Sequence, residues 1–426
     1  MKILYVSQYF PPEMGAPAAR VAELSRHWMQ AGHEVTVLTG FPNHPTGVVP
    51  PEYHSKLRRL VVRDDFGGVR VIRTWLLPFP NRKAYERMLN YLSFAVSSAL
   101  TGLFLSGQDL VIATSPQLLV GLSGWWLALC KRVPFVFEVR DLWPESLSAV
   151  GMDEHSFLHR LLAGIAGFLY KRCDRVVVVT AAFREHLMKY WSVPDEKIAI
   201  VENGVETELF TPQPSGHDSS VDLRKSWNAV GKFVVCYIGT MGWAHGLDTL
   251  LEAASQLSQT SPDVLFLLVG EGADKARIQA LAQSRGLINL RFVDQQPRET
   301  IPAYIRASDV CLVLLKKTEL FKTVIPTKML EFMSCARPVI LGVDGQARAI
   351  LEEAQAGFYI EPENTDALVR AITGLRAHAD QRATLGANGR EYVMKNFSRQ
   401  QTAQSYIEVL TALREEKNGD KSTESR

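Results

Sequence analysis

The sequence of 426 residues lacks the features that define several large classes of protein. Its five cysteines are scattered, and no two of them stand at the spacing of a metal site or a redox motif. Its net charge of +2 gives no reason to expect nucleic-acid binding. No internal repeat and no low-complexity tract interrupts it. We therefore expect a globular protein with reduced cysteines in its core and no nucleic-acid partner.

The N-terminus lacks the pattern of a secretory signal peptide. Met1 and Lys2 are followed at once by the strand-like run Ile3–Val6, which stops at Ser7 without a small-residue cleavage site. Together with the reduced cysteines, this predicts a cytoplasmic protein.

What the sequence does contain is a regular alternation of apolar runs with helical patterns. Hydrophobic residues make up 46% and charged residues 22%, which is typical of a soluble protein, and the length suits two domains. Apolar runs without polar alternation indicate strands buried on both faces, and helices between them predict parallel, doubly wound sheets. The runs are Ile3–Val6, Val35–Leu38, Leu110–Ala113, Phe135–Val139, Val176–Val179, Ile198–Val201, Phe233–Ile238, Leu265–Val269, Leu290–Val293, Val310–Leu314, Pro338–Leu341 and Gly357–Ile360.

A stretch rich in glycine and proline separates the two series of runs. It reads VENGVETELFTPQPSGHDSS over residues 201–220, a composition typical of a linker. The sequence therefore predicts an N-terminal domain over 1–205 and a C-terminal domain over 206–397. Residues 398–414 have helical periodicity, and 415–426 are expected to form a disordered tail.

One apolar stretch, Met88–Leu105, allows three interpretations. It carries no charge and is close to the shortest length that crosses a bilayer. Because it contains an asparagine, three serines and Gly102, we favour a buried helix of the first domain. The alternatives are a helix that lies in a bilayer interface beside the basic segment Lys56–Arg87, and a spanning helix. The last is least favoured, because it would cut a sheet in half.

Two loops of the first domain follow predicted strands, at the edge where open α/β sheets bind ligands. The loop Ser7–Arg20 is longer than an ordinary βα loop needs to be, and it lacks the G-x-G-x-x-G fingerprint of a dinucleotide site. The loop Glu138–Ser146 places Arg140, Asp141 and Trp143 after a buried strand. A surface ion pair is the alternative for its charges. A carboxylate beside a large aromatic ring, however, suits a polyhydroxylated ligand.

The second domain has two glycine-rich turns after predicted strands. They are YIGTMGWAHG (Tyr237–Gly246) and LVGEG (Leu268–Gly272). Glycines let the backbone approach a ligand closely, and amides at a helix N-terminus suit a phosphate. One such turn is a weak signal, but two at the same edge of a sheet favour an anion site.

The segment IPTKMLEFMSCARPVI predicts a helix that opens at the same edge, because it follows the run Val310–Leu314. Pro326 sets the entry of the helix, and Thr327 caps it or donates a hydrogen bond. Lys328 and Glu331 share one face, where a cation and amide dipoles suit a diphosphate and a carboxylate suits ribose hydroxyls. The alternative is a surface ion pair, worth only a few tenths of a kcal/mol. The neighbouring glycine turns favour the nucleotide.

With these motifs the chain resembles the family-4 glycosyltransferases over nearly its whole length. These are retaining enzymes of GT-B architecture, with two Rossmann-like, doubly wound parallel-sheet domains facing across a cleft. FPPEMGAPAARVAELSRHWMQAGHEVTVLTG resembles the family's opening, VENGVETELF its domain junction, and PTKMLEFMSCARPVI its Glu-x7-Glu helix, whose second glutamate falls on Glu331. EVRDLWPES and GTMGWAHGL are most similar to the N-acetyl-L-fucosamine transferase subgroup of O-antigen assembly.

The resemblance implies a UDP-sugar as co-substrate, no cofactor, and a lipid-linked glycan as acceptor at an anionic membrane surface. No metal is expected, because the sequence has no Asp-x-Asp motif. The resemblance also implies that the C-terminal helix crosses back to the first domain. The expected catalytic residues are Arg140, Asp141, Lys328 and Glu331. Donor contacts are expected from Gly239, Thr240, Gly242, His245, Gly270, Glu271, Thr323, Pro326, Thr327, Lys328 and Glu331, and acceptor contacts from Glu13, Met14, Gly15, Trp143 and Glu145.

Three departures from the family pattern concern the donor site. The first glutamate of Glu-x7-Glu falls on Thr323, a common histidine falls on Arg140, and 240–245 lacks the frequent Arg and Lys. We therefore expect Lys328, Arg140, backbone amides and His245 to hold the diphosphate. Two rival interpretations remain, a GT-B epimerase and a nucleotide-sugar-binding protein without catalysis.

Overall fold

The computed structural model describes residues 1–424 apart from 45–46, 57, 80–83, 149–152, 154, 214, 215 and 217. The chain divides into two compact units. Unit 1 consists of Met1–Asn203 and Gln400–Arg426, and unit 2 consists of Gly204–Arg399.

Unit 1 is built on an eight-stranded sheet in the order β3-β4-β2-β1-β5-β6-β7-β8. All neighbouring strands are parallel except the antiparallel pair β3 and β4. The strands are β1 Lys2–Val6, β2 Glu34–Gly40, β3 Val61–Phe66, β4 Val69–Thr74, β5 Leu110–Thr114, β6 Phe135–Val139, β7 Arg175–Val178 and β8 Ile198–Ile200. The helices are α1 Ala16–Gln30, α2 Pro51–His54, α3 Ala84–Leu103, α4 Val120–Lys131, α5 Glu145–Ser148, α6 Phe157–Arg172 and α7 Ala181–Trp191.

Unit 2 is built on a six-stranded parallel sheet in the order β11-β10-β9-β12-β13-β14. Its strands are β9 Phe233–Ile238, β10 Val264–Val269, β11 Leu290–Val293, β12 Val310–Leu314, β13 Val339–Gly342 and β14 Gly357–Tyr359. Its helices are α8 Ser220–Ser226, α9 Asp248–Thr260, α10 Lys275–Ser284, α11 Ile301–Arg306, α12 Thr327–Ser334, α13 Gln346–Glu353, α14 Thr365–Ala377 and α15 Ala379–Asn396. A last helix, α16 Arg399–Glu424, leads into the C-terminal part of unit 1.

The predicted parallel sheets are confirmed, because each of the twelve apolar runs contributes to a strand. The residues of β9 show why such runs lack polar alternation. Val234, Cys236 and Ile238 enter one hydrophobic cluster, while Phe233, Val235 and Tyr237 enter another. Both faces of the strand are therefore covered, and each position needs an apolar side chain.

The antiparallel pair β3 and β4, which lies inside the basic segment, was not predicted from the sequence. The two strands are joined at Gly67 and Gly68, both with positive φ. The two strands read VVRDDF and VRVIRT, so charged residues are mixed with apolar ones, and β3 forms the edge of the sheet. The double glycine was the available signal for the hairpin.

Helix α3 is half buried, so the prediction of a buried helix over 88–105 was only partly correct. Asn90, Phe94 and Ser98 are buried, whereas Leu92 and Leu100 on the opposite face are exposed. A helix in the outer layer covers the sheet with one face only, and apolar composition alone does not reveal which residues that face contains. In the described part of the chain, no helix is both long and apolar enough to cross a membrane.

The stretch 201–220 was predicted as a linker, but its described residues include core positions of unit 2. Val205 and Phe210 are fully buried, and Arg390 Nη1 donates to the carbonyl of Phe210 at 2.9 Å. Pro214, Ser215 and His217 lie outside the described residues. The glycines and prolines of this stretch therefore correctly indicated an irregular backbone. They did not show that some of its side chains pack in the core of unit 2.

Residues 415–424 are helical, whereas a disordered tail was predicted over 415–426, of which 425 and 426 lie outside the described residues. They continue α16, and ion pairs near its end hold it to unit 1. Arg175 Nη2 lies 2.8 Å from Glu416 Oε2, and Lys417 Nζ lies 2.9 Å from Asp174 Oδ1. Polar composition allowed either state, and these tertiary contacts favour the helix.

Helix α16 supplies part of the core of unit 1. The Trp28 indole donates to the carbonyl of Ala403 at 2.9 Å and packs edge-on against Tyr406, with ring centroids 5.2 Å apart. Ile407, Leu410 and Leu413 belong to the same cluster as β1. The first sheet is therefore completed by the last helix of the chain.

Candidate functional site

Two glycine turns of unit 2 pack directly on each other at the carboxyl ends of β9 and β10. Gly239 has φ 138° and Gly270 has φ 145°, a backbone region that favours glycine. A Cβ atom on Gly270 would lie 2.1 Å from the carbonyl oxygen of Gly239, and one on Gly272 would lie 2.3 Å from that of Met241. Glycine is therefore required here by close backbone approach.

The ammonium group of Lys328 lies beside the first of these turns. A Cβ on Gly239 would be 2.8 Å from Lys328 Nζ, which itself stands 4.2 Å from the centroid of the Tyr237 ring. Within the described residues, the buried Lys328 Nζ and His245 Nδ1 have no hydrogen-bond partner. A buried cation whose hydrogen bonds are unsatisfied is costly in an unliganded site. The arrangement suits an anion that would accept from Lys328.

Burial and mutual repulsion set the protonation of these two groups. Burial lowers the pKa of Lys328 to about 8, although the Glu331 carboxylate acts in the opposite direction. Burial, followed by the positive charge of Lys328, lowers the pKa of His245 to about 3. At neutral pH the site therefore holds a charged lysine and a neutral imidazole.

Helix α12 begins at the same edge. Pro326 is its N-cap residue and makes no side-chain capping bond, and Thr327 is the first helical residue. Thr323 ends the short 3-10 turn Leu320–Thr323, and its hydroxyl donates to the carbonyl of Leu320 at 2.7 Å. Pro326 therefore marks the helix start, as the sequence indicated, but it precedes the first turn.

Glu331 is held by Arg298, a residue that the sequence analysis did not identify. Arg298 Nη1 donates to Glu331 Oε1 at 2.7 Å, and its guanidinium lies 4.9 Å from the centroid of the Phe210 ring. Among the described residues it is this arginine, and not Lys328, that forms a salt bridge with Glu331. The alternative interpretation, in which Lys328 and Glu331 form a surface ion pair with each other, is therefore wrong.

Three other predicted donor residues are placed by the glycine turns. The Glu271 carboxylate accepts from the side chain of Lys275, which also donates to Asp294 at 2.6 Å. The backbone carbonyl of Glu271 accepts from the amide of Met241. The Tyr237 hydroxyl donates to the carbonyl of Thr240 at 2.6 Å, and Gly242 precedes the 3-10 turn Trp243–His245. The Glu271 side chain therefore serves α10, while Thr240 and Gly242 shape the turn.

Arg140 and Asp141 belong to unit 1, at the carboxyl end of β6. Ser115 Oγ accepts the backbone amides of Arg140 at 2.7 Å and Asp141 at 3.2 Å. The Arg140 guanidinium donates to the carbonyls of Ala16 and Pro17 at the start of α1. Burial raises the pKa of Asp141 to about 6, although the Trp143 side chain and the positive charge of Arg140 oppose this. Asp141 is therefore poised to change protonation near neutral pH.

Glu13 fixes a neighbouring loop of unit 1. Its Oε1 accepts the amides of Asn43 and His44, both at 2.9 Å, and Oε2 accepts that of Phe10 at 3.4 Å. Burial raises its pKa to about 7 against these bonds. Met14 is exposed, and Gly15, with φ 134°, is the N-cap of α1. In this structure the Glu13 carboxylate shapes the loop, while Met14 reaches the surface.

Trp143 and Glu145, from which acceptor contacts were predicted, both make contacts within unit 1. Trp143 is buried, with its ring centroid 6.3 Å from that of Tyr91. Glu145 Oε1 accepts from His186 Nε2 at 2.9 Å and Trp191 Nε1 at 3.0 Å. Burial would raise the pKa of Glu145, but these bonds lower it overall. Both side chains position the loop after β6.

Tyr237 and Arg298 are the site residues that the sequence reading overlooked. Tyr237 lies within an apolar run, and Arg298 stands in an ordinary polar turn after β11. The hydroxyl of Tyr237, close to the end of an otherwise apolar strand, was the available signal that this residue belongs to the site. In the described residues, no group of three or more His, Cys, Asp or Glu is placed to hold a metal ion.

Comparison with known proteins agrees with this two-unit description. Residues 15–204 match a model described as "Glycosyl transferase 4-like domain", and residues 220–392 match "Glycosyl transferases group 1". The putative colanic acid biosynthesis glycosyl transferase WcaI of Escherichia coli K12 is 25% identical over 392 residues, covering 87% of this chain and 91% of that protein.

Solved structures share the fold at low sequence identity. Sucrose-phosphate synthase from Thermosynechococcus elongatus has a TM-score of 0.74 and 23% identity, covering 97% of this chain and 98% of that one. Anabaena Alr3699/HepE in complex with UDP-glucose has a TM-score of 0.72 and 18% identity, covering 97% and 100%. The predicted GT-B fold, with two parallel-sheet α/β domains, is confirmed.

Proposed function

Starting from a chain made of a glycosyl transferase 4-like domain and a group 1 domain, we propose that this protein is a retaining glycosyltransferase using a UDP-sugar. One observation carries the proposal: the buried Lys328 ammonium has no hydrogen-bond partner in the described residues and lies beside the Gly239 turn. A diphosphate would satisfy that ammonium. Glu331, on the same helix face, would accept from ribose hydroxyls. The HepE structure, which holds UDP-glucose, supports this donor class.

The donor sugar and acceptor belong to the same proposal. The resemblance of EVRDLWPES and GTMGWAHGL to the N-acetyl-L-fucosamine transferase subgroup supports an N-acetylated deoxyhexose such as L-FucNAc as the donor sugar. The relative WcaI is named for colanic acid biosynthesis, which supports a role in polysaccharide assembly. We propose that the acceptor is a lipid-linked glycan, used at the cytoplasmic face of a membrane, and that unit 1 binds it near Glu13, Met14 and Gly15.

Catalysis would come chiefly from stabilising the negative charge that develops on the departing diphosphate. Lys328 is positioned to do this, because its charge lies in a solvent-poor site where electrostatic interactions are strong. No metal is required in this scheme, since a lysine and helix N-terminal amides provide the positive field.

The experiment is incubation with UDP-sugars, with and without a lipid-linked acceptor, while UDP release and product are measured. A transferase needs acceptor for rapid UDP release, and its product keeps the anomeric configuration of the donor. Release of UDP without acceptor, with isomerised sugar, would favour an epimerase instead. Binding of the UDP-sugar without any release of UDP would indicate a nucleotide-sugar-binding protein without catalysis. This alternative is considered because Thr323 stands at the position of the first glutamate.

A matched pair of variants sharpens the result. Lys328→Met should abolish most turnover, whereas Lys322→Met, an exposed lysine of the neighbouring turn, should not. Adding EDTA should leave the wild-type rate unchanged, and a rate that falls and returns with Mg²⁺ would contradict metal independence.

A further inference from the structure

In the part of the chain that the structure describes, β3 is the longest of the four strands that stand at the edges of the two sheets. It has six residues, whereas β8, β11 and β14 have three, four and three. A very short edge strand protects a sheet from pairing with another chain. β3 also contains no proline, which would remove a backbone donor. It is therefore the edge best able to accept a further strand.

The outer side of β3 is open. Within the described residues, β3 pairs with β4 alone. Because the hydrogen bonds of an antiparallel pair alternate along each strand, about half of the backbone N–H and C=O groups of β3 point away from β4. A groove of about 470 Å³ lies along the first half of the strand, lined by Lys56, Arg59, Val61, Val62 and Arg63. Unpaired backbone with open space beside it suits an incoming strand.

The charged side chains of β3 lie on two different faces. Asp64 accepts from Arg73 Nε at 2.7 Å and pairs with Lys56 at 3.1 Å, so its charge is offset within its own copy. Arg63 and Asp65 point to the opposite face, because side chains alternate along a strand. Both are exposed, and among the described residues neither forms a salt bridge. These two charges are available to a partner.

The order of charges along β3 is complementary to itself. The strand reads VVRDDF. If two copies pair antiparallel about a two-fold axis at Asp64, Arg63 of each copy lies opposite Asp65 of the other. Two reciprocal ion pairs then form on the exposed face, and opposite charges across strands are stabilising. The same register places Val62 of one copy opposite Phe66 of the other, whose side chain is 38% exposed.

The other symmetric registers bring like charges together. Side chains directly opposite each other lie on the same face of a sheet, so the axis must pass through a residue and not between two. An axis at Arg63 would place two exposed arginines opposite each other, and an axis at Asp65 would do the same with two exposed aspartates. An axis at Asp64 brings two carboxylates together as well, but Arg73 and Lys56 of each copy offset them. The register at Asp64 is therefore the favoured one.

We infer that two copies of this protein pair through β3, so that their two eight-stranded sheets join into one. An acidic strand of another protein matches this edge less well, because it would meet Asp65 as well as Arg63. Each copy has one such edge, so the contact closes at two copies. The inference does not depend on the proposed function, since no donor or acceptor contact is assigned to β3.

The test is sedimentation velocity of the full chain over about 1–100 μM, because a small interface binds weakly. The wild type should pass from monomer to dimer as its concentration rises. R63D and D65R should each raise the dissociation constant about tenfold or more, because each puts like charges opposite each other. The matched control is R291D, which reverses an exposed arginine on β11, the edge strand of unit 2, and should associate as the wild type does.

Mixing the two charge-reversed proteins tests the register itself. An equal mixture of R63D and D65R should form a dimer although neither does so alone at the same concentration, because an acidic edge then faces a basic one. The double variant R63D/D65R should also regain the dimer, since it keeps both reciprocal pairs with their signs exchanged. Loss of structure in a single variant cannot produce either recovery.

Three results would overturn the inference. The first is a wild type that stays monomeric over the whole range. If that monomer bound polyglutamate and R63D did not, the edge would be assigned to an acidic partner instead. The second is a dimer that R63D and D65R leave unchanged. The third is a dimer that both single variants lose and that neither the mixture nor R63D/D65R regains, while all variants keep the circular-dichroism spectrum of the wild type.

Discussion

At the scale of single residues, the properties of the site in unit 2 depend on how Lys328 and Glu331 are held. Lys328 is kept charged at neutral pH in spite of burial, and Glu331 is oriented by the guanidinium of Arg298. Each arrangement costs free energy in the unliganded protein, because a buried charge is desolvated. That cost is consistent with groups arranged for a ligand and not for stability alone.

Replacing Glu331 by alanine should weaken UDP binding by about 2–4 kcal/mol while the fold survives, because a charged acceptor of two hydroxyl groups is lost. The measurement is calorimetric titration with UDP. Glu252→Ala is the control, since Glu252 forms a comparable pair with Arg285 at 2.8 Å on the exposed surface of α9. Unchanged UDP affinity in Glu331→Ala would remove Glu331 from the site.

UDP affinity should fall as pH rises through about 8, the pKa to which burial lowers Lys328. Below that pH the ammonium is charged and attracts the diphosphate, and above it the free protein loses the proton. The affinity should be about tenfold weaker one pH unit above that pKa than on the acidic plateau. Titration calorimetry at several pH values measures this slope.

Two variants identify the group responsible for that slope. Lys328→Arg should flatten it, because arginine stays charged throughout this range. His245→Gln should leave it unchanged, since His245, with its pKa near 3, is neutral at every pH tested. A step near the usual histidine pKa that is present in the wild type and lost in His245→Gln would show that His245 titrates in the site.

At the scale of elements, the two glycine turns determine how closely β9 and β10 can present their ends to a ligand. The turn at Gly270 presses on the carbonyl of Gly239, and the turn at Gly239 leaves room for the Lys328 side chain. The position of the lysine therefore depends on backbone geometry as well as on α12.

Gly270→Ala should lower the free energy of unfolding of unit 2 by about 2–4 kcal/mol, through positive-φ strain and the clash with the Gly239 carbonyl. Denaturant unfolding followed by circular dichroism measures the change. Gly374→Ala is the matched control in α14, where a new Cβ would meet no atom within 4 Å. It should stabilise by about 0.5–1 kcal/mol. Equal effects of the two substitutions would contradict the close approach.

At the scale of the whole molecule, unit 1 is made from both ends of the chain. Its core includes β1 at the N-terminus and α16 at the C-terminus. A fully buried ion pair between Arg20 Nε and Glu138 Oε1, at 2.9 Å, lies in the same unit. Arg20 also donates to the carbonyls of Val201 and Glu202, just before the chain enters unit 2.

Truncation after Arg399 should unfold unit 1 and leave unit 2 able to bind UDP. Four large side chains, Tyr406, Ile407, Leu410 and Leu413, leave the core, each contributing about 1.5–3 kcal/mol. Their sum approaches the whole stability of a typical domain, about 5–15 kcal/mol. Scanning calorimetry should show one remaining transition, and UDP should raise its midpoint.

Truncation after Arg414 is the control for this experiment. It keeps the four core side chains and removes exposed pairs such as Arg175–Glu416, worth about 0–1 kcal/mol each. If the protein truncated after Arg399 kept both transitions, α16 would not be part of the core of unit 1.

The sequence by itself determined the two parallel sheets and the chemical character of the second site. Buried strands such as β9 and β12 require apolar residues at every position, so their composition reports burial on both faces directly. The glycines at 239 and 270 were likewise readable, because their conformations suit no other residue well. These are local properties, encoded within a few residues.

Only the tertiary structure decided which partners those residues meet. Arg298 pairs with Glu331 from 33 positions away, and α16 fills a core begun by β1. The exposed stripe of α3 and the burial of Trp143 were also undetermined, since a run of apolar residues looks the same whether it faces the core or the solvent. Contacts between distant segments depend on how helices and sheets pack, and no local pattern records that choice.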